Sequence, residues 1–137
     1  MVVGDTAAPS YSVLVVDDDA AIRETLHQLL VDDGYAVMLA PDGVVALDML
    51  REAPHPMVVL LDLMMPRLDG FGVLAAVMAD HRLQRQHRFV IMTASASALS
   101  GPTAPVIEQL GALSLIKPFN IEHLLELVAE AASHLID

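Results

Sequence analysis

Residues 13–19 read Val-Leu-Val-Val-Asp-Asp-Asp, a short apolar run that ends abruptly in three acids. The run is rich in β-branched residues and has no internal polar residue, which predicts a strand buried on both faces of a sheet. Beyond the acids, apolar residues recur at helical spacing, and Gly34 stands where such a helix would stop. This part of the chain therefore predicts one strand followed by one helix.

The same alternation recurs along the rest of the chain. The predicted strands are 13–16, 35–39, 57–61, 89–92 and 112–116, and the regular helical segments are 22–30, 44–50, 71–78 and 121–128. Asn120 is the expected N-cap of the last helix. Repeated strand and helix units with right-handed crossovers predict an α/β fold, a doubly wound five-stranded parallel sheet with helices on both faces.

The fourth helical segment is the exception to this regularity. Residues 95–105 are rich in Ser, Ala, Gly and Pro. Pro102 and Pro105 lack a backbone donor and restrict the local geometry. We therefore expect a mobile or irregular fourth helix.

The composition of the chain limits the classes of protein to which it can belong. The chain has 137 residues, of which 55% are apolar and 18% charged, as expected of one packed globular domain. Its formal net charge of −11 disfavours direct binding to nucleic acid. There is no cysteine and no apolar stretch long enough for membrane insertion, so we expect a cytoplasmic protein. We expect residues 1–11 to form a flexible tail and 12–137 to form the domain.

Chemistry-bearing side chains follow four of the five predicted strands. In open parallel sheets, functional groups gather beyond the carboxyl ends of the strands, so residues far apart in sequence can converge there. Close carboxylates repel one another, and a hard cation such as Mg²⁺ stabilises their ionised forms through oxygen ligands. The residues expected to converge are Asp17, Asp18, Asp62, Thr93 and Lys117.

Each of these residues also has a purely structural interpretation. Acids after a strand often cap the next helix, which is the interpretation we favour for Asp19. An Asp at a strand end is a common turn residue, and an isolated Thr or Lys at such a position is usually a strand-end hydroxyl or a solvated charge. The six histidines show no paired metal spacing and are interpreted as surface or packing residues.

Four short motifs in a fixed order resemble the receiver domains of two-component response regulators. They are Val-Val-Asp-Asp-Asp at 15–19, Leu-Asp-Leu-Met-Met-Pro-Arg-Leu-Asp-Gly at 61–70, Thr-Ala at 93–94 and Lys-Pro-Phe at 117–119. The resemblance covers nearly the whole chain beyond residue 11. It implies a flavodoxin-like strand order of 2-1-3-4-5 and a phosphorylation-dependent signalling switch that acts as a regulator and not as a conventional enzyme.

The resemblance also implies a role for each matching residue. Asp62 would accept a phosphoryl group from a phosphohistidine on a sensor histidine kinase or a histidine phosphotransfer protein. Metal ligands for Mg²⁺ would be Asp17, Asp18, Asp62 and the backbone carbonyl of Met64. Lys117 would pair with the phosphoryl oxygens, Thr93 would donate a hydrogen bond to one of them, and the bond before Pro118 would be cis.

Two departures from the family pattern matter. Many receivers carry Tyr or Phe three positions before the Lys, where this chain has Ser114, so we expect residues 95–105 to become ordered on phosphorylation instead. Met64 and Ser95 occupy positions from which other receivers orient hydrolytic water. Because a thioether orients water poorly, we expect slow loss of phosphate.

Two other functional classes stay open. One is a pseudo-receiver, a protein-interaction module of the same fold that signals without phosphate, which the absence of the aromatic residue favours. The other is a phosphohydrolase with Asp62 as nucleophile, although such enzymes often need an acid where Met64 stands. The chain has no room for an output domain, so it is either a stand-alone or an excised receiver, and its apolar content permits a homodimer. The downstream target stays unidentified.

Overall fold

The structure, a computed structural model, describes residues 11–65 and 67–135. Its five strands are β1 (Ser12–Val16), β2 (Val37–Ala40), β3 (Met57–Asp62), β4 (Arg88–Thr93) and β5 (Leu113–Ile116). Its helices are α1 (Ala20–Asp32), α2 (Gly43–Glu52), α3 (Gly70–Met78), α4 (His81–Gln86), α5 (Thr103–Leu110) and α6 (Ile121–Ala132). A 3-10 turn at Ala96–Leu99 precedes α5.

The five strands form one parallel sheet in the order β2-β1-β3-β4-β5, which confirms the predicted order. Val16 at the end of β1 lies opposite Leu61 of β3. Asp62 lies opposite Met92, next to the end of β4. The carboxyl ends of the central strands are therefore level with one another and form a single edge.

Helices cover both faces of the sheet, as predicted. Helices α1 and α6 pack on one face through residues such as Leu26 and Val128. Helices α2, α3, α4 and α5 pack on the other, where Leu50 and Val73 are fully buried. β1 and β3 are buried along their whole length, as expected of strands covered on both sides.

The second strand and helix differ from their predicted bounds. β2 begins at Val37 and not at Tyr35, because the Tyr35 amide still donates to the carbonyl of Leu30 in α1. Gly34, with φ of 97°, makes the left-handed turn that releases the chain from that helix. α2 is longer than predicted at both ends, and its N-cap Asp42 accepts a hydrogen bond from the Val45 amide.

Helix α4 was not predicted. Its sequence, His-Arg-Leu-Gln-Arg-Gln, contains a single apolar residue, Leu83, which is fully buried. Asp80 caps the helix by accepting hydrogen bonds from the Arg82 and Leu83 amides. One apolar residue in six gives no helical periodicity, so the N-cap residue Asp80 was the only signal for this helix in the sequence.

The predicted irregular conformation of the fourth helical segment is confirmed. Residues after β4 form the short 3-10 turn, and α5 begins only at Thr103. Pro105 is the third residue of α5, where a backbone N–H would have no partner inside the helix. No residue of α5 is fully buried. The predicted mobility of this segment stays a prediction.

Residues 1–10 of the expected flexible tail lie outside the described residues. Tyr11 is half-buried, and its ring packs against Tyr35 with 6.3 Å between centroids. Within the described parts of the chain, no helix combines the length and apolar character needed to cross a membrane.

Candidate functional site

Three carboxylates meet at the carboxyl edge of the sheet. Asp17 directly follows β1, and Asp62 is the last residue of the neighbouring β3. One carboxylate oxygen from each of Asp17, Asp18 and Asp62 lies within 4.8 Å of the others. Asp17 and Asp62 are buried, whereas Asp18 is exposed at the mouth. The structure therefore brings together the three acids that the sequence singled out.

Lys117 reaches this group from the end of β5. Its Nζ donates to Oδ2 of Asp17 at 2.8 Å and to Oδ2 of Asp62 at 3.3 Å. Burial by itself lowers the pKa of Lys117, but the hydrogen bond and charge of Asp17, followed by those of Asp62, outweigh burial and raise it. Lys117 is thus held as an ammonium ion. The Lys117–Pro118 peptide is cis, as the family resemblance implied.

The Asp62 carboxyl group is buried and only partly compensated by its neighbours. Burial raises the pKa of its carboxyl group above the usual value, and the nearby charge of Asp17 adds to this. The Met64 amide, which donates to Oδ1 of Asp62 at 3.2 Å, and Lys117 act in the opposite direction without cancelling the effect. The Lys117 ammonium contacts two of the three carboxylates, so the three acids together carry excess negative charge.

This donor set fits a hard divalent cation. Carboxylate oxygens at this spacing are the ligands that Mg²⁺ takes in proteins, and a cation would relieve the repulsion between them. Asp19 is not a member of the group, because its side chain caps α1 by accepting from the Ala21 and Ile22 amides. That is the role the sequence favoured for it.

Arg23 is a contributor that the sequence reasoning missed. Its Nη1 donates to the backbone carbonyl of Asp17 at 2.7 Å from α1. The Asp19 amide donates to Oδ1 of Asp17 at 2.9 Å, which orients the carboxylate itself. The only sequence signal was the position of Arg23 one helical turn beyond the acids.

Thr93 closes the edge between β4 and β5. It is fully buried, and its carbonyl accepts the Lys117 amide at 2.8 Å. Its hydroxyl accepts from the Ser95 amide at 3.1 Å and donates to the Ser95 carbonyl at 3.4 Å. The hydroxyl is thus bound to the segment that leads into the 3-10 turn, where Ser95 Oγ also lies 2.8 Å from Ser97 Oγ.

The loop between β3 and α3 is fastened to α2. Arg67, with φ of 62°, is the one non-glycine residue with positive φ in the described ranges. Its guanidinium pairs with the N-cap Asp42 at 3.1 Å, and the Gly43 amide donates to the Leu68 carbonyl at 3.0 Å. The Met64 side chain, 61% exposed, projects from the same loop. Arg67 and Leu68, which follow Asp62 in this loop, are therefore tied to the start of α2.

An apolar cavity of about 490 Å³ adjoins Lys117 on the side of α1 and α6. Ile22 of α1, Phe119 and Ile121 line it together with Pro118. Ile121 is partly exposed, at the first position of α6. The acidic edge thus has an apolar surface directly beside it.

Ser114 lies on β5, three residues before Lys117, and its side chain is exposed. The residue is small and polar, so no aromatic ring stands at this position.

The sequence pattern of the response regulator receiver domain family matches residues 13–129, most of the chain. Among curated proteins, the response regulator MprA of Mycobacterium tuberculosis (strain ATCC 25618 / H37Rv) is 55% identical over 64 residues. The match covers 47% of this chain but only 27% of that protein, so the chain spans a minor part of the relatives it matches.

Solved structures extend the likeness over the whole fold. A CheY-like response regulator receiver domain protein from Methanospirillum hungatei JF-1 is 30% identical with a TM-score of 0.77, over 92% of this chain and 98% of that one. The response regulator TrrA of Thermotoga maritima, solved in complex with Mg(2+)-BeF, is 26% identical with a TM-score of 0.75. That match covers 88% of this chain and 98% of TrrA.

Proposed function

Because this chain belongs to the family of response-regulator receiver domains, we propose that it is a signalling switch that accepts a phosphoryl group on Asp62. The observation that carries the proposal is the contact of Lys117 with both Asp17 and Asp62 at the edge where three carboxylates meet. A buried carboxylate beside a fixed ammonium provides the nucleophile and a positive charge for the transferring group.

The phosphodonor would be a phosphohistidine on a sensor histidine kinase or a phosphotransfer protein. A carboxylate oxygen of Asp62 forms the new P–O bond, the P–N bond to the histidine breaks, and the released electron pair stays on the imidazole nitrogen. Lys117 would then exchange its contact with Asp62 for the phosphoryl oxygens. It can do so without moving far, since its second partner, Asp17, holds it in place.

Mg²⁺ would be held by Asp17, Asp18 and Asp62, with the backbone carbonyl of Met64 as a further ligand. When bound, this ion offsets charge on the transferring phosphoryl oxygens. The chain's own contribution is to fix the ligands. Asp17 is oriented by the Asp19 amide, and its backbone is held by Arg23. The complex of TrrA with Mg(2+)-BeF supports this assignment by analogy.

The apolar cavity beside Lys117 is our candidate for the docking surface of the phosphodonor protein. A histidine on that protein must approach Asp62 through the mouth beside Asp18, so the donor's surface has to cover the adjoining residues. Ile22, Phe119 and Ile121 give it an apolar contact there. We place this event in the cytoplasm, where the kinase domain of the donor would be.

Signal output would begin at Thr93. A phosphoryl oxygen on Asp62 offers its hydroxyl a charged acceptor, which is stronger than the Ser95 carbonyl that it contacts at 3.4 Å. Release of Ser95 would let residues 95–105 change conformation without the aromatic residue that Ser114 replaces. Hydrogen exchange in this segment should differ between the free protein and its phosphoryl-mimic form, and Thr93→Ala should abolish that difference. Equal exchange in both forms would contradict it.

Loss of the phosphoryl group should be slow. The exposed Met64 side chain has no group that orients a water molecule well. A time course of the phosphorylated, Mg²⁺-bound protein would measure the rate, and Met64→Asn should accelerate it. Rapid loss from the unsubstituted protein would defeat this expectation.

Phosphorylation itself is tested by intact mass after incubation with a small-molecule phosphodonor, with and without Mg²⁺. We expect one Mg²⁺-dependent phosphoryl adduct, which Asp62→Asn abolishes. Asp19→Asn is the matched control, because Asn caps a helix as well as Asp and Asp19 lies outside the acidic group. No adduct on folded protein would favour the pseudo-receiver, the alternative that Ser114 supports.

The docking surface needs a separate experiment. Ile121→Glu places a charge on the apolar surface, while an acid at the first turn of a helix is compatible with folding. This variant should still accept phosphate from a small molecule but lose acceptance from a phosphohistidine protein. Equal rates from the protein donor before and after the substitution would rule out this surface.

A further inference from the structure

Three of the eight methionines line one small cavity at the amino end of the sheet. The cavity has a volume of about 210 Å³ and is lined by Met38, Met49 and Met57 together with Ser12, Glu52, Ala53, Pro54 and His55. It lies at the start of β1 and β3, whereas the acidic group lies at their ends. It is therefore a separate feature of the molecule.

The register of the sheet places Met38 and Met57 on the same face. Met38 lies opposite Leu14 and Met57 opposite Ser12, and alternate residues of β1 point to the same side. Ser12 Oγ contacts Met38 Sδ at 3.8 Å. The sulfur of Met38 thus lies beside Ser12 of β1, the residue that is opposite Met57 in the sheet.

Met49 and His55 complete the cavity from the other layer. Met49 is a half-buried residue of α2 that packs on the same core cluster as Met57. His55 is exposed at the rim, in the turn between α2 and β3, and forms no hydrogen bond or ion pair with any described residue. Three thioethers, an imidazole and the Glu52 carboxylate therefore border one space.

Core packing accounts for the burial of Met57, but it does not explain why three methionines border one cavity. Methionine is flexible and usually fills irregular gaps in a core, yet here three of them surround a space that stays open. Met38 is also 42% exposed on the edge strand β2, where a core filler has little to fill. The shared property of these side chains at this place is their sulfur.

Thioether sulfur is a soft ligand that selects monovalent copper, and imidazole binds copper as well. The chain has no cysteine, so no thiolate competes for such an ion. We propose that the cavity binds one Cu⁺ ion through the sulfurs of Met38, Met49 and Met57, with His55 at its mouth. The three carboxylates at the opposite end of the sheet suit Mg²⁺, whereas this cavity offers three thioethers and an imidazole beside a single carboxylate, Glu52.

The test uses Ag⁺, a redox-inert soft cation of the same charge, in chloride-free buffer with Mg²⁺ present. The protein carries ¹³C-labelled methionine methyl groups. With the first equivalent, the methyl signals of Met38, Met49 and Met57 should shift together and then stop, and native mass spectrometry should show one bound ion. Absence of any shift, or equal early shifts at the exposed Met64, would overturn the proposal.

Substitution of the methionines provides a second test of Ag⁺ binding. Met38→Leu with Met49→Leu conserves volume and should weaken Ag⁺ binding at least tenfold, whereas Met64→Leu with Met78→Leu, outside the cavity, should leave it unchanged. Retained affinity in the first pair would reject the site. Asp62→Asn should bind Ag⁺ as the unsubstituted protein does, so the result does not depend on phosphorylation.

Discussion

The two ends of the sheet treat buried polar groups in opposite ways. At the carboxyl end, Asp62 keeps a charge that Lys117 only partly offsets, and burial raises the pKa of its carboxyl group. At the amino end, His87 is buried and neutral, and burial lowers the pKa of its imidazole to about 4. The buried Asp62 carboxylate therefore costs the fold free energy, whereas both ring nitrogens of His87 have hydrogen-bond partners.

The contacts of His87 show how complete the second arrangement is. Its Nδ1 accepts from the Met57 amide at 3.1 Å, so its Nε2 is the donor toward the Leu50 carbonyl at 3.2 Å. Gln86 and Arg82 donate to two further carbonyls at the end of α2, those of Ala53 and Arg51. Helix α4 thus caps helix α2 from the side. Removal of the His87 imidazole should therefore destabilise the fold, whereas removal of the Asp62 charge should stabilise it.

The largest effect is expected for His87→Ala. The substitution leaves a cavity and two buried backbone groups without partners, which should lower the free energy of unfolding by about 3 kcal/mol. Urea denaturation measures it. Gln86→Ala, which removes one carbonyl contact, is the matched control with an expected loss of about 1 kcal/mol. A smaller loss for His87 than for Gln86 would mean that the amino end is not held as described.

Low pH should weaken the hydrogen bonds of the His87 imidazole. Below pH 6.5 the unfolded chain binds a proton at His87, whereas the folded protein does so only near pH 4, so stability falls between these values and then levels off. The loss should reach about 3 kcal/mol relative to His87→Gln, which keeps both hydrogen-bonding functions without titrating. Paired denaturation curves across this pH range measure the difference. A constant difference between the two proteins would show that the imidazole is not held neutral.

At the carboxyl end, Asp62→Asn should raise the free energy of unfolding by about 1 kcal/mol at neutral pH without Mg²⁺, because it removes an undercompensated charge. The gain should fade as the pH drops toward 3.8, where the carboxyl group is protonated in the unfolded chain as well. Asp69→Asn is the control, since the Asp69 side chain caps α3 by accepting from the Gly72 amide and lies outside the acidic group. Destabilisation by Asp62→Asn would contradict the picture of a costly edge.

The smallest effect concerns Arg67, whose positive φ lies in the loop beside Asp62. Arg67→Gly should stabilise the protein by about 0.5 kcal/mol, because relief of backbone strain exceeds the loss of an exposed ion pair. Arg67→Ala keeps the strained backbone and loses the ion pair with Asp42, so it should be slightly destabilising. Thermal denaturation of the two variants compares them directly. Equal stabilities would show that the left-handed conformation costs no more than the extra conformational entropy that glycine loses on folding.

The sequence predicted best what depends on local pattern and strand ends. Asp17, Asp62 and Lys117 each follow a predicted apolar strand. Because functional groups gather at the carboxyl ends of parallel strands, this position was enough to predict that the three side chains lie close together. The irregular fourth unit was predictable for the same reason, because Pro102 and Pro105 act on their own backbone. The roles of these residues in phosphorylation stay a proposal.

The contacts that the sequence did not reveal are those between distant segments. The histidines were interpreted as surface or packing residues, and His87 is indeed buried in the packing, but its bonds to Leu50 and Met57 span 37 and 30 residues. Helix α4 escaped prediction because Leu83 alone marks its buried face. Arg23 escaped because its contact is with a backbone carbonyl, which leaves no pattern in the sequence.

Ser114 also has a practical consequence. Its exposed side chain lies on the edge strand β5, three residues from Lys117, in a chain without cysteine. Ser114→Cys would therefore install a single reactive thiol in nearly the same volume, at the position where many relatives carry an aromatic ring. A fluorescent or spin label attached there would report on the strand next to Thr93 in real time.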